Sequence, residues 1–329
     1  MSGKKSGNSI VVLGTGGTIA GTAASGADNI GYTAAQIGVG QLLETIPGLD
    51  ALLAGRALLS EQVAQIDSKD MDEHVWRALA LRCAHWLAQD GVQGIVITHG
   101  TDTLEETAYF LHAVLPPALL AAKPVVLTCA MRPATALAPD GPQNVLDAVA
   151  VASTPGACGV VAVCAGTVHG ALDVQKVHPY RLDAFGSGEA GPVGQVEEGR
   201  LRLTRNWPVV LTVGSFAAIE LVSNAKLWPR VEIVLNHAGA SGAIVRALLA
   251  PGDAPPLRGM VVAGTGNGSV HHDLEAALLA AQAGGVRVVR ATRCALGRVL
   301  PKSGDALPDS QGLSPVKARI ALMLDLLAA

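Results

Sequence analysis

The chain predicts an α/β fold, with a mostly parallel sheet and flanking helices in a larger N-terminal domain and a smaller α/β C-terminal domain. Three observations carry that expectation. Strand-like and helix-like segments alternate from end to end, as in parallel sheets joined by crossover helices. Two short β-branched runs end in glycine turns, at Ile10–Ala20 and Ile95–Thr103. Glycine and proline then thicken between 186 and 208, and a shorter β/α series follows. At 329 residues the chain is long for one core, so two domains are expected, at 1–207 and 229–329, with a linker at 208–228.

Short apolar, β-branched runs place strands at 9–13, 94–98, 124–129, 159–164, 231–235, 259–263 and 286–290. Between the first two, Asp70 to Gln89 reads as a helix. Asp70 would cap it with Glu73 at the third position, and Val75, Leu79, Arg82/Cys83 and Trp86 would share a face. Asp102 and Glu105 have the same capping-box spacing, at the start of a helix from Thr103 to Leu115 that Pro116-Pro117 stops. A third helix starts near Pro142, whose missing N–H is harmless in a first turn, and runs on through Gln143 to Val151. The last follows Ser314-Pro315, with Ile320, Met323, Leu324 and Leu327 on its apolar side.

Composition narrows the function. Half of the residues are hydrophobic, 16% are charged and the net charge is -3, which leaves no nucleic-acid footprint. No apolar run reaches the ~18–20 residues of a membrane span. The start, Met1 to Gly7, is polar and lacks the apolar middle of a secretory signal, so the protein is expected in the cytoplasm, or in the periplasm if the chain is a processed form. Five cysteines at 83, 129, 158, 164 and 294 form no C-x-x-C and read as structural, with Cys129 and Cys164 in apolar runs. There is no H-E-x-x-H, and the neighbours His271 and His272 cannot share a helix face, so neither a metal nor a cofactor is expected.

The two glycine-rich turns decide less by themselves. Gly14-Thr15-Gly16-Gly17-Thr18-Ile19 fails the dinucleotide fingerprint at Ile19, and Gly264-Thr265-Gly266-Asn267-Gly268-Ser269 fails it at Ser269. Neither continues as a phosphate loop. Such a turn can instead bring backbone N–H groups up to a developing oxyanion. A threonine after a strand often does no more than cap a helix. Here no G-x-S-x-G elbow, Cys/His pairing or carboxylate dyad competes with Thr18 and Thr101.

Thr15-Gly16-Gly17-Thr18-Ile19-Ala20 and Thr98-His99-Gly100-Thr101-Asp102-Thr103 resemble the two signature segments of bacterial L-asparaginases, closest to the type II and glutaminase-asparaginase branch. Asp67-Ser68-Lys69-Asp70-Met71, Ala130-Met131-Arg132-Pro133, Asp140-Gly141-Pro142, Asp173-Val174-Gln175-Lys176 and 264–269 extend the likeness from about residue 9 to 328. The resemblance implies hydrolysis of L-asparagine to L-aspartate and ammonia through a threonine acyl-enzyme. Thr18 would be the nucleophile, with Tyr32 on the loop after it, and Thr101, Asp102 and Lys176 would form a second triad. Ser68 would hold the substrate carboxylate and Asp102 its α-amino group. Gly17, Lys69, Gly100, Thr101, Ala130 and Ser269 would complete the substrate contacts.

Lys69 stands where this branch usually has glutamine, and Ser269 is more typical of the glutaminase-asparaginases, so secondary glutaminase activity is implied. Glu275, on a helix, is a poor match for the neighbouring-subunit glutamate that completes the family's site. The family assembles as a dimer of dimers, which implies a homotetramer whose C-terminal domains each complete a neighbour's site. An aliphatic hydroxyl needs a base to become a nucleophile. A lysine in that role must be neutral when it acts, a state that burial favours and a neighbouring carboxylate opposes. The loop Gly21 to Gly31 has the composition of a lid over substrate. Alternatives are a glutaminase, a D-asparaginase, or a non-catalytic α/β protein that binds an amino acid.

Overall fold

The computed structural model describes residues 8–208 and 217–329. The chain divides into two compact units, Met1–Ser223 and Asn224–Ala329. The division falls inside the stretch expected to be a linker; its part at 209–216 lies outside the described residues, and 217–224 is helical.

In the first unit the strands are β1 (Ser9–Gly16), β2 (Ala57–Ile66), β3 (Val92–Thr98), β4 (Pro124–Thr128), β5 (Gly159–Cys164), β6 (Thr167–Gly170), β7 (Gln175–Lys176), β8 (Phe185–Gly186), β9 (Gly194–Glu197) and β10 (Arg200–Leu203). Eight form one sheet in the order β10-β9-β6-β5-β4-β3-β1-β2, and β7 pairs with β8 separately. The run from β2 to β5 is parallel, and β6, β9 and β10 extend it antiparallel. The 186–208 stretch, read as the edge of the first domain, therefore supplies the last two strands of its sheet.

The central strands are apolar throughout because both faces are covered. Ile10, Val12, Val96, Val126 and Val161 point into a core closed by the helices Val39–Glu44, Leu49–Leu53 and Gly141–Ala152. Val11 and Leu13 alternate to the opposite face and are equally buried. At roughly 1.5–3 kcal/mol for each fully buried aliphatic side chain, such layers are the main stabilising term. Helix Glu73–Leu87 is capped by Asp72, whose carboxylate accepts the Val75 N–H at 2.9 Å, and not by Asp70, which lies in the 3-10 turn Ser68–Asp70. Its buried stripe is Trp76, Leu79, Ala80, Cys83 and Leu87, rotated by one residue from the expected face. Trp76 stacks on Phe110 with centroids 4.9 Å apart and donates to Thr107 Oγ1 at 2.9 Å. These contacts fix helix Leu104–Val114, at whose start Thr101 and Asp102 stand.

The second unit has a three-stranded parallel sheet in sequential order, β11 (Arg230–Leu235), β12 (Leu257–Gly264) and β13 (Arg287–Thr292). Val234, Met260, Val262 and Val288 meet Leu274 and Leu278 of helix His272–Ala283 in its core. Helix Pro315–Leu327 also packs on the sheet and buries Ile320, Leu322 and Met323, while Leu324 and Leu327 are only half-buried.

Candidate active site

The strand order sets where the site forms. From β1 the chain goes outward to β2, then crosses back to β3 and on to β4 and β5, so connections diverge between β1 and β3. At such a switch point a crevice opens beyond the carboxyl ends of the two strands. Gly14 pairs with Thr98, so the segments leaving both strands run side by side. Thr15 Oγ1 reinforces this by donating to Thr98 O at 3.0 Å. Just beyond, Gly17 (φ 82°) packs against Gly100 so closely that a Cβ on Gly17 would overlap its backbone. Thr18 and Thr101, the next residue of each segment, are both 6% exposed.

Thr18 Oγ1 lies 2.6 Å from the Tyr32 hydroxyl. The loop that delivers Tyr32 is closed by Thr22 and Thr33, which exchange two backbone hydrogen bonds of 2.9 Å. Its tip is shaped by Asp28, whose carboxylate accepts the N–H groups of Gly31 and Ile30 and is held below the usual carboxylate range by them. The expected lid is fastened to the segment after β4: Ala134 N–H donates to Gly21 O and Leu137 N–H to Gly26 O, both at 2.9 Å.

Thr101 faces a different group. Lys176, on the two-residue strand β7, places Nζ 2.8 Å from Thr101 Oγ1 and 2.6 Å from Asp102 Oδ1. Its side chain is largely buried, whereas that of Asp102 is half exposed. Asp102 does not cap the following helix. Thr103 holds the N-cap position and makes no side-chain cap bond, while the Asp102 carboxylate is turned to the lysine. The segment carrying Lys176 is anchored by the Asp173–Arg205 ion pair at 2.5 Å and by Lys176 N–H, which donates to Glu105 Oε1 at 3.4 Å.

Ser68 is buried below the second turn. Its Oγ accepts the Asp102 N–H at 3.2 Å, and its carbonyl accepts from Thr103 Oγ1 at 2.8 Å. Lys69, by contrast, is 65% exposed and pairs with Asp67 at 3.0 Å, so the structure does not bring its ammonium into the cluster. Ala130 is buried just after β4, in a turn whose Met131 and Arg132 N–H groups donate to the Asp140 carboxylate at 2.9 Å each. In the second unit, Ser269 is exposed and bridges Thr265 through backbone bonds of 2.9 and 2.7 Å, and Glu275 is exposed on helix His272–Ala283.

His271 and His272 do come together, contrary to the helix-face argument, because His271 is the N-cap and lies outside the helix. Their rings stack at 4.4 Å, and with Asp273 they offer three possible metal donors within 4.8 Å. His271 Nδ1 is already an acceptor for the Asp273 N–H, which makes this a helix cap. Sequence reasoning gave Asp140 a place in the Asp140-Gly141-Pro142 segment but no role, and passed over Asn144. Asn144 donates to Cys129 O and Asp140, and accepts from the Ala165 N–H, tying the ends of β4 and β5 together. A buried asparagine in a mostly apolar helix was the available signal.

Fold and site together define a two-unit α/β protein with paired threonine hydroxyls at the switch point of its larger sheet. The chain belongs to the asparaginase family: residues 9–209 match the model "Asparaginase, N-terminal" and residues 230–328 the model "Glutaminase/Asparaginase C-terminal domain". It is 37% identical to L-asparaginase 2 of Bacillus subtilis (strain 168), covering 98% of this chain and 84% of that protein. It is 36% identical to the glutaminase-asparaginase of Pseudomonas fluorescens biotype A, covering 96% and 86%. The crystal structure of a probable cytoplasmic L-asparaginase from Campylobacter jejuni is similar at a TM-score of 0.88 and 35% identity, covering 98% of this chain and 96% of the other.

Proposed function

We propose that the protein is an amidohydrolase that converts L-asparagine to L-aspartate and ammonia through an acyl-enzyme on Thr18, with secondary activity on L-glutamine. The observation that carries this reading is that each of two threonine hydroxyls at adjacent strand ends touches a group able to handle its proton: Tyr32 for Thr18 and Lys176 for Thr101. A site built only to bind an amino acid has no need of that pairing.

Thr18 Oγ1 attacks the side-chain carboxamide carbon as its proton leaves toward the Tyr32 oxygen, and the carbonyl π electrons move onto oxygen. Backbone N–H groups of the two turns stabilise that oxyanion, each donor being worth ~3–4 kcal/mol. Collapse expels the nitrogen, which gains a proton and departs as ammonia, leaving an ester on Thr18. Water then attacks the ester, with Thr101, Lys176 and Asp102 as the proton-handling group, to release aspartate and free Thr18. Ser68 and Asp102 are the expected holds for the substrate's α-carboxylate and α-amino groups.

The glutaminase component is supported by Ser269 and by relatives that carry both activities in their names. Assembly as a homotetramer, with Asn224–Ala329 of one subunit completing a neighbour's site, belongs to the same reading and is tested by light scattering. Cytoplasmic residence is supported by five free thiols, which suit a reducing compartment, while a relative in Haemophilus influenzae is named periplasmic. Among the described residues no helix is long and apolar enough to cross a membrane. Steady-state ammonia release from both L-amides, with Thr18→Ala as control, tests the core reading. Loss of turnover in a folded variant is expected, and full activity would refute the mechanism.

A further inference from the structure

Lys176 works from an element that cannot place it alone. Strands β7 and β8, of two residues each, form a ribbon outside the eight-stranded sheet, with Lys176 paired to Phe185 and Gln175 to Gly186. A lone two-stranded ribbon is marginally stable at best. Yet Lys176 Nζ stands within hydrogen-bond reach of both Thr101 Oγ1 and Asp102 Oδ1, at 2.8 and 2.6 Å. Whatever fixes the ribbon therefore fixes the ammonium.

Both ends of the ribbon are tied to consecutive residues of β6. On the way in, Gly170 O accepts the N–H groups of Asp173 at 3.0 Å and Val174 at 2.8 Å. The Asp173–Arg205 ion pair pins this end a second time. On the way out, Ser187, the residue after β8, places its Oγ 2.7 Å from Nδ1 of His169. Among the described residues, the next hydrogen bond from the outgoing chain to β6 comes only at Val193, whose N–H donates to Val168 O. His169 and Ser187 are 3% and 7% exposed, so water has little access to replace their bond. His169 is itself rooted in the main sheet, opposite Ala162 of β5. Burial holds its pKa down at about 4, so near pH 7 the ring is neutral and the contact is an ordinary hydrogen bond.

We propose that His169 and Ser187 are positioning residues for the reaction: their hydrogen bond fastens the outgoing end of the β7–β8 ribbon to β6 and so holds Lys176 against Thr101 and Asp102. This rests on the reading of Thr101, Lys176 and Asp102 as a proton-handling group.

The test is a double-mutant cycle on ammonia release from L-asparagine by the full-length protein. Ser187→Ala deletes one oxygen and His169→Leu the ring nitrogens. Each should lower kcat roughly 10–100-fold, as a misplacement of about 1 Å does, with a smaller effect on KM. Together they should be no worse than the weaker single variant, because both remove the same bond. His169→Asn, whose amide lies near the place of Nδ1, should recover most of the loss. An effect that runs through Lys176 disappears with it. In Lys176→Met, adding Ser187→Ala should change the residual kcat, read at high enzyme concentration, less than about twofold. Circular dichroism and thermal midpoints establish folding, and if His169→Leu does not fold, Ser187→Ala with and without Lys176→Met carries the test. A folded Ser187→Ala with the parent's kcat, or one whose whole loss recurs in the Lys176→Met background, would overturn the inference. So would a His169→Asn no more active than a folded His169→Leu. Lys176→Met keeps the two levels apart. If it turns over like the parent, the underlying reading fails; if it is impaired while Ser187→Ala is fully active, only the positioning role fails.

Discussion

Gly17 and Gly100 touch backbone to backbone, with no space for a single methyl group between the two turns that carry Thr18 and Thr101. Their approach is what lets hydroxyls from separate strands share one crevice. Gly17 is also at φ 82°, where an L side chain is strained whatever the space. Gly17→Ala should therefore cost about 2–4 kcal/mol in urea unfolding and abolish turnover. An alanine variant with the parent's unfolding midpoint and activity would show that the turns do not need this contact.

The two proton-handling groups should be separable. Tyr32→Phe removes the oxygen that Thr18 touches and leaves the ring, so kcat is expected to fall roughly 10²–10⁴-fold with little change in KM. Lys176→Met should also suppress turnover. If deacylation is its step, a burst of ammonia should precede a slow steady state, and rapid-quench kinetics would detect that burst. A large rise in KM alone for Tyr32→Phe would assign the tyrosine to binding.

Neighbours in sequence, Ser68 and Lys69 should behave oppositely. Ser68 is buried and bonded to the Asp102 turn, whereas Lys69 is solvated and paired with Asp67. Ser68→Ala is expected to raise KM for asparagine about tenfold or more, as loss of a hydrogen bond to a charged group does. Lys69→Ala should shift it less than about threefold, as surface ion pairs contribute little. Equal effects at the two positions would place the Lys69 ammonium on the substrate after all.

Two buried histidines make stability depend on pH. Burial lowers both His99 and His169 from the ordinary 6.5 to about 4. Between those values the unfolded chain binds protons that the folded protein excludes, so stability is fully present above pH 6.5 and is lost as pH falls toward 4. Each histidine contributes about 3 kcal/mol to that loss at most. Urea midpoints measured from pH 7 to 4.5 should fall, and His169→Gln should flatten the slope. A midpoint constant over that range would mean that neither ring is held neutral by the fold.

The five thiols should react in an order set by burial. Cys294 is exposed, Cys158 is half-buried, and Cys83, Cys129 and Cys164 are buried. Burial pushes the Cys83 and Cys158 thiols up, and the Cys164 sulfur at 3.3 Å together with burial does the same for Cys129. A disulfide-exchange reagent should label Cys294 at once and the three buried thiols only after unfolding. Rapid labelling of Cys129 in the native protein would contradict the packing at the end of β4.

The sequence was legible where local chemistry and final environment agree. The central strands β1, β3, β4, β5 and β12 are buried on both faces and read as continuous apolar runs, while the partly buried edge strands β11 and β13 are legible from their β-branched residues. Strand β2, Ala57–Ile66, was not legible: it sits at the sheet edge, half exposed, and is built of Ala, Leu, Glu and Gln, which favour helix by themselves. Capping was misread at Asp70 and Asp102 because several acidic residues flank each helix start. Which one caps depends on where the chain enters, and at Asp102 a lysine from far along the chain outcompetes the helix end.

By itself the sequence determined the fold class, the main strands, the two glycine turns and, through resemblance, the residues to look for. The tertiary structure alone decided that those turns are neighbours, that Tyr32 meets Thr18 while Lys176 meets Thr101, that Lys69 stays outside the cluster, and that His99 is bonded to Gly100. The physical reason is that strand adjacency is fixed by hydrogen bonds between segments more than 80 residues apart, Gly14 against Thr98, which no local propensity encodes.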